Sequence, residues 1–276
     1  MGIMTLFLFM ADGAPVEPVR IFDMTRFNVL IAVLIYGILI LWFIYHARRG
    51  KEMFIRRISG LDAVEEAVGR ATEMGKPVLY VPGLDGISSI STIASMNILA
   101  QVAKKTAQYN TTLLVPNRDP VVYTVAREVV KEAYADAGRP DSFNSDNIYF
   151  ITQDQFGYTS AVCGTMVRDK PAANFFLGYF WAESLVLAET GAATGAIQIA
   201  GTDSIFQLPF FIVACDYTLI GEELYAASAY LSRQPLLLGS LKGQDWGKMV
   251  ILAIILLSSL IALLGWNKII SFFNIG

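Results

Sequence analysis

Two uncharged apolar stretches, one toward each end, constrain this chain more than anything else in it. Phe27 to Tyr45 (FNVLIAVLIYGILILWFIY) and Met249 to Trp266 contain no charged residue. At about 1.5 Å per helical residue the first reaches nearly the full hydrocarbon thickness of about 30 Å. Both read as transmembrane helices, with Trp42, Tyr45 and Trp266 placed as interfacial anchors. They also explain the composition. The chain is 54% hydrophobic and 16% charged, against about 25% charged in ordinary soluble proteins.

The flanking cations set an expected orientation. Arg48, Arg49, Lys51, Arg56 and Arg57 follow the first stretch and Lys242 and Lys248 lead into the second, whereas Arg20, Arg26 and Lys268 lie on the other side. The positive-inside rule then puts the long middle segment in the cytoplasm and both termini outside. The expected organisation is an extracytoplasmic tail at 1–26, a transmembrane helix at 27–46, a cytoplasmic domain at 58–241, a second transmembrane helix at 249–266 and an extracytoplasmic tail at 267–276. Met1 to Met10 is apolar but lacks a basic n-region. It is expected to lie on or near the outer membrane face, with cleavage as a signal peptide the alternative.

Charge also removes one class of partner. Between Ile58 and Gly247 there are 12 Lys or Arg against 20 Asp or Glu, a net −8. No basic stripe runs along any expected helix, so nucleic acid is not an expected partner. The basic cluster from Arg48 to Arg57 is juxtamembrane, which makes anionic membrane lipids the expected contact. Cys163 and Cys215 sit in apolar surroundings and are expected as free thiols. The only histidine, His46, stands at the membrane border, so zinc ligation lacks partners. On the cytoplasmic side the Asn110-Thr-Thr112 sequon would carry no glycan.

Within the middle segment, apolar runs alternate with helical patterns. Strands are expected at Val78–Val81, Thr112–Val115, Ile148–Ile151, Gly195–Ala200 and Pro209–Cys215. Helices are expected at Ile58–Met74, Ser88–Tyr109, Pro120–Ala137, Gln155–Val167 and Thr218–Leu231. Ala172 to Thr190 is long and apolar enough to resemble a third span, but Asn174, Glu183 and Glu189 oppose insertion at about 2.5 to 3.5 kcal/mol for a central charge. It is expected as a buried core or subunit-interface helix. This alternation implies an α/β fold, a Rossmann-like, largely parallel sheet domain inserted between two transmembrane helices.

Four strand exits share a pattern: Val81-Pro-Gly-Leu-Asp85, Val115-Pro-Asn-Arg-Asp119, Phe150-Ile-Thr-Gln-Asp154 and Ile199-Ala-Gly-Thr-Asp203. An aspartate at such an exit serves first as a helix N-cap, and Asp119-Pro120 suits this best because proline favours the first helical position. The recurrence therefore supports the fold more firmly than a site. The exits are nonetheless where an open parallel sheet places its ligands. Candidate ligand-binding residues are Gly83, Asp85, Gly86, Ser88, Asn117, Arg118, Asp119, Asp154, Thr202, Asp203 and Asp216. Close carboxylates would raise one another's pKa and invite a divalent cation, and Gly83 to Ser89 has the ingredients of an anion cradle. Arg118 is the only basic residue in these loops.

Other chemistry finds no motif. The run from Gly69 to Pro77 has the wrong spacing and a proline where a phosphate loop needs Ser or Thr. The expected domain has no histidine and no GxSxG. Glu222 and Glu223 fit the helix dipole. No cofactor is named by the sequence. The aromatic run Phe175 to Trp181 is expected to pack in the core or between subunits, and together with the small-residue stretches Ala226–Tyr230 and Gly191–Gly195 it points to homo-oligomerisation.

VPNRDP (Val115–Pro120), KPAANFF (Lys170–Phe176), QLPFFIVACDYTLIGEELYAASAYLS (Gln207–Ser232) and GSLKGQDWGK (Gly239–Lys248) carry a resemblance to an uncharacterised prokaryotic family. Its members pair a compact domain of unknown function with flanking transmembrane helices. The resemblance covers Arg57 to Lys248 and implies no activity, cofactor or catalytic residue. The expected function is a non-enzymatic, membrane-anchored protein that self-assembles as a scaffold or small-ligand sensor. The alternative is a carboxylate- and Mg²⁺-dependent enzyme acting on a nucleotide or small metabolite at the strand exits.

Overall fold

Six short strands pair in parallel, in the order β3-β2-β1-β4-β5-β6. The structure is a computed structural model and describes residues 27–50 and 59–263. Both terminal tails, Trp266, and the cations Arg20, Arg26, Lys51, Arg56, Arg57 and Lys268 lie outside the described residues. The strands are β1 (Val78–Val81), β2 (Leu113–Asn117), β3 (Ile148–Phe150), β4 (Ala173–Leu177), β5 (Ile197–Thr202) and β6 (Tyr217–Ile220). The helices are α1 (Phe27–Arg48), α2 (Ser59–Met74), α3 (Ile90–Tyr109), α4 (Pro120–Asp136), α5 (Gln155–Asp169), α6 (Glu183–Thr194), α7 (Leu208–Ala214), α8 (Glu222–Ser232) and α9 (Pro235–Leu263).

The helices α2 to α8 divide between the two faces of the sheet, and the strand pleat decides which side chain meets which layer. Val78 and Tyr80 of β1 and Phe175 of β4 join α2, α3, α4 and α8 in one core. Leu79, Val81 and Phe176 join α5, α6 and α7 in the other. Both faces are covered, so β1, β4 and β5 are buried at every position, as all-parallel sheets require. Tyr80 donates its buried hydroxyl to the Ser95 carbonyl at 2.6 Å and stacks on Phe175. The phenol lies far above its ordinary pKa, chiefly because burial penalises the phenolate.

The structure corrects three expected elements. Ala172–Thr190 is not one helix. Its first part is the central strand β4, and α6 starts only at Glu183. A strand covered on both faces loses its polar alternation and cannot be told from a buried helix by periodicity. Pro209–Cys215, expected as the fifth strand, is the helix α7, with its proline in the first turn. Thr218–Ile220, expected as the start of a helix, belongs instead to the strand β6. A parallel partner for β5 needs a crossover of about a dozen residues, and α7 is that crossover.

The chain forms two compact units. Residues 40–246 contain the whole sheet. Within this unit Gly239 and Gly243 of α9 face α1 so closely that a Cβ would lie 2.6 Å from Ile44 Cα and 2.9 Å from Ile40 Cα. Small residues of this kind let helix backbones touch, and Trp246 stacks on Phe43 beside them. The other unit comprises, among the described residues, 27–39 and 247–263, and there Gly247 gives the same room to the Tyr36 ring. Both α1 and α9 are long and apolar enough to cross a membrane.

A buried polar knot sits inside the domain at the start of β5. Gln198 Nε2 donates to the Ala188 and Ala214 carbonyls at 3.0 and 2.7 Å. Its amide oxygen fills the space a side chain at Gly191 would need, 2.0 Å from where a Cβ would stand. Gly191→Ala would gain about 1 kcal/mol in helix propensity but lose about 1–3 kcal/mol to overpacking and about 1 kcal/mol in hydrogen bonding. The clash wins. Thermal unfolding of this variant should begin lower by roughly 3–10 °C, and an unchanged or raised midpoint would show that the amide moves freely.

Candidate functional site

Between β1 and β4 the chain leaves the sheet in opposite directions, which in an open parallel sheet is where a ligand crevice forms. Here that point is closed by the protein's own backbone. Gly83 in the β1 loop has φ +80° and Gly178 in the β4 loop has φ +137°, conformations that side chains rarely adopt. A Cβ on Gly83 would stand 2.8 Å from the Tyr179 nitrogen and oxygen, and one on Gly178 only 2.6 Å from the Pro82 carbonyl oxygen. The Leu84 amide completes the join by donating to the Tyr179 carbonyl at 2.8 Å.

Arg118 ties further loops to this junction. Its Nε donates to the Gln153 carbonyl and its Nη1 to the Leu84 carbonyl, both at 2.8 Å. The guanidinium lies over the Trp181 ring at 5.0 Å, within cation–π range. One side chain thus links the exits of β1, β2, β3 and β4. Beneath it Tyr158, fully buried, donates to the Pro116 carbonyl at 3.0 Å. Burial first, then Tyr149 and Glu183, push its phenol far above the ordinary value, while Arg118 acts in the other direction.

Glu183, at the start of α6, has no exposed surface. Its carboxylate accepts from the Trp181 amide at 2.7 Å and from Gln155 Nε2 at 2.5 Å. The positive end of the helix dipole favours this placement. Ser184 beside it donates to Gln207 Oε1 at 2.7 Å, coupling α6 to the segment before α7. Trp181, Glu183, Gln155 and Tyr158 are not among the candidate ligand-binding residues, although Glu183 stands out in the sequence as an acid within an apolar tract.

The four exit aspartates have separate roles. Asp119 caps α4, accepting from the Val121 and Val122 amides at 2.8 and 2.9 Å, and Asp154 caps α5 through Gly157 at 2.6 Å. Asp85 caps nothing. The N-cap of α3 is Ser89, and the Asp85 carboxylate has no hydrogen-bond or ion-pair partner among the described residues. Asp203 accepts from the Tyr225 hydroxyl at 2.6 Å, and its other oxygen is buried without a hydrogen-bond partner. Burial and then this carboxylate raise the Tyr225 pKa.

Of the remaining candidates, Gly83 and Arg118 meet at the junction. Gly86 offers its carbonyl to the Ser89 amide, and Ser88 is an exposed turn residue. Asn117 is fully buried at the end of β2, donating to the Val115 carbonyl at 2.8 Å, with its Oδ1 unpaired. Thr202 is buried and accepts from the Ser204 amide. Asp216 stands apart. It precedes β6 rather than following a strand, so it lies at the opposite edge, accepting from the Gln198 amide at 2.8 Å. That displacement follows from Pro209–Cys215 being a helix. Among the described residues, no three His, Cys, Asp or Glu side chains group closely enough to hold a metal ion. Two hollows, of about 170 and 280 Å³, open at the strand-start edge, the first beside Asn110 and Asn147, the second between Arg70, Gln198 and Asp216.

Neither thiol is paired. Burial, then the neighbouring Asp216 carboxylate, push Cys215 up to about 12. At pH 8 it should therefore hold roughly a thousandfold less thiolate than a free cysteine, and iodoacetamide should modify it quickly only after unfolding. The caps predict a graded stability series. Asp119→Ala and Asp154→Ala should each cost about 1 kcal/mol, or about 2–4 °C in unfolding midpoint, whereas Asp85→Ala should stay within about 0.5 kcal/mol. Equal losses at all three positions in a thermal melt would contradict the assignment.

No curated protein and no solved structure matches the chain. A family model does, over residues 17–273, and the chain belongs to that family, described as a domain of unknown function (DUF6754).

Proposed function

We propose that this protein is a two-pass cell-membrane protein whose Rossmann-like domain faces the cytoplasm, with both termini outside, and that it works as a self-assembling scaffold rather than as an enzyme. The observation carrying this reading is the closed strand-exit edge. Gly83 and Gly178 bring two loops into backbone contact, and Arg118 uses two of its donors on loop carbonyls. Asp119 and Asp154 are engaged by the amides of their own helices. Gly83, Arg118, Asp119 and Asp154, all expected to hold a ligand, thus hold the fold together. The Rossmann-like description rests on the strand order, which is that of dinucleotide-binding sheets.

Anchoring and orientation rest on different observations. The helices α1 and α9 have the length and apolar character of membrane spans. Seven Lys or Arg lie between the two uncharged apolar stretches and close to them, from Arg48 to Arg57 together with Lys242 and Lys248, against Arg20, Arg26 and Lys268 on the other side. The same cations suit anionic lipid headgroups.

Orientation is testable by thiol labelling in a Cys163→Ala, Cys215→Ala background. A cysteine at exposed Ser142 should react with a membrane-impermeant maleimide only after cells are permeabilised, and one at Gly276 in intact cells. Labelling of Ser142→Cys in intact cells would reverse the topology. For self-assembly, light scattering of the full chain in mild detergent should give at least twice the mass of one chain, and a strictly monomeric mass would end the scaffold reading.

A further inference from the structure

The sequence features that suggested oligomerisation are used inside the domain. Phe175, Phe176 and Phe180 are core residues, α8 packs on α3, and Gly191 makes room for Gln198. A different surface is uncovered. From Ile205 to Cys215 the chain has no charged residue, and of its large apolar side chains only Leu208 and Phe211 are buried. Ile205 is 71% exposed, Phe206 76% and Val213 87%, with Phe210 and Ile212 also open. The helix α6 packs beside α7 and exposes Leu185 and Val186.

The size of this face matters. An aromatic side chain presents about 150–250 Å² when fully open, so Ile205, Phe206, Phe210, Ile212 and Val213 together present on the order of 500 Å². That is the size of the largest patch on an ordinary monomer. Leu185 and Val186, with Ile220 at the end of β6, extend it toward the roughly 800 Å² per partner of a standard interface.

Charge separates the available occupants. No Lys or Arg occurs between Lys170 and Arg233, while Glu183, Glu189, Asp203, Asp216, Glu222 and Glu223 do. An anionic membrane surface attracts cations at about 1 kcal/mol each and finds none in this stretch of chain. An uncharged, aliphatic and aromatic centre is instead the composition of homodimer interfaces. We propose that α7, with the segment leading into it and the first turn of α6, is the face through which two copies of this chain pair about a two-fold axis.

This pairing rests on the reading that the chain self-assembles from the membrane. A two-fold axis needs one self-complementary patch rather than two matched ones. Membrane anchoring confines the copies and raises their effective concentration, so a patch of modest area suffices.

The test uses the full chain in mild detergent, followed by light scattering across a concentration series. Wild type should be dimeric. Phe206→Asp and Val213→Asp should each weaken the dimer by at least about 30-fold, the effect of a central interface residue, with unfolding midpoints close to wild type. Val121→Asp, exposed on α4, should leave the dimer intact. A wild-type oligomer kept by both patch variants overturns the proposed face and leaves self-assembly standing. A monomeric wild type overturns both, and shielding of a fluorophore on Phe206→Cys in vesicles would then assign the face to lipid. Should the aspartate variants fail to fold, Val213→Cys in the cysteine-free background should cross-link between chains in native membranes with a short bismaleimide. If it cross-links no more than Val121→Cys, the proposal fails.

Discussion

The position of β4 between β1 and β5 is the constraint on which the rest of the domain depends. Without it the sheet would be two pieces, β3-β2-β1 and β5-β6, each with an open edge. Such edges are a liability that proteins cover or pair. Its five residues Ala-Asn-Phe-Phe-Leu are all buried, and Phe175 and Phe176 point into different cores. One strand therefore joins the halves of the sheet and supplies both hydrophobic layers. Because it sits at the reversal of strand order, its exit loop must pass the β1 loop at close range, which is why glycine stands at both Gly83 and Gly178.

Closing that gap has a chemical consequence. In a sheet of this order the space between the β1 and β4 loops would ordinarily accept a ligand's phosphates. Here the Tyr179 and Pro82 backbones occupy it, and the one cation in these exit loops, Arg118, is engaged by two carbonyls and an indole. A guanidinium held in this way is a structural tie that fixes the orientation of Trp181. The buried Glu183 carboxylate has no salt bridge among the described residues and instead accepts from one backbone amide and one glutamine at the α6 N-terminus. Groups that look like chemistry in the sequence are thus engaged by the loops themselves.

How much of this was legible depended on solvent. Where an element has a wet face, as α2 and α4 do, alternating polar residues reveal it. The N-cap of α4 was readable from Asp119-Pro120 because capping is local chemistry. Where an element is dry on all sides the pattern vanishes, and β4 and α6 merged into one apparent helix. The error at α7 has another origin. Its Phe-Phe-Ile-Val favours extended backbone locally, and only the need for a crossover between β5 and β6 overrides that preference. Misplacing that crossover put Asp216 at the wrong edge of the sheet. The pairing of Asp203 with Tyr225 lay beyond reach, since it joins residues whose proximity is set by β5 and α8 together.

The exposed face of α7 follows from the same crossover. A seven-residue helix needs about two inward residues to cover one end of β5 and β6, and Leu208 and Phe211 meet that need. Packing inside the domain places no demand on the other positions, and polar residues there would make a monomer more soluble. Ile205, Phe206, Ile212 and Val213 occupy them instead. Single exposed apolar residues are ordinary on any surface, but a run without a charged neighbour is not. From 171 to 232 the chain has no Lys or Arg, so none of these residues supplies a long cationic stem to fold over and shield the patch. What the domain cannot cover by itself, a second identical face can.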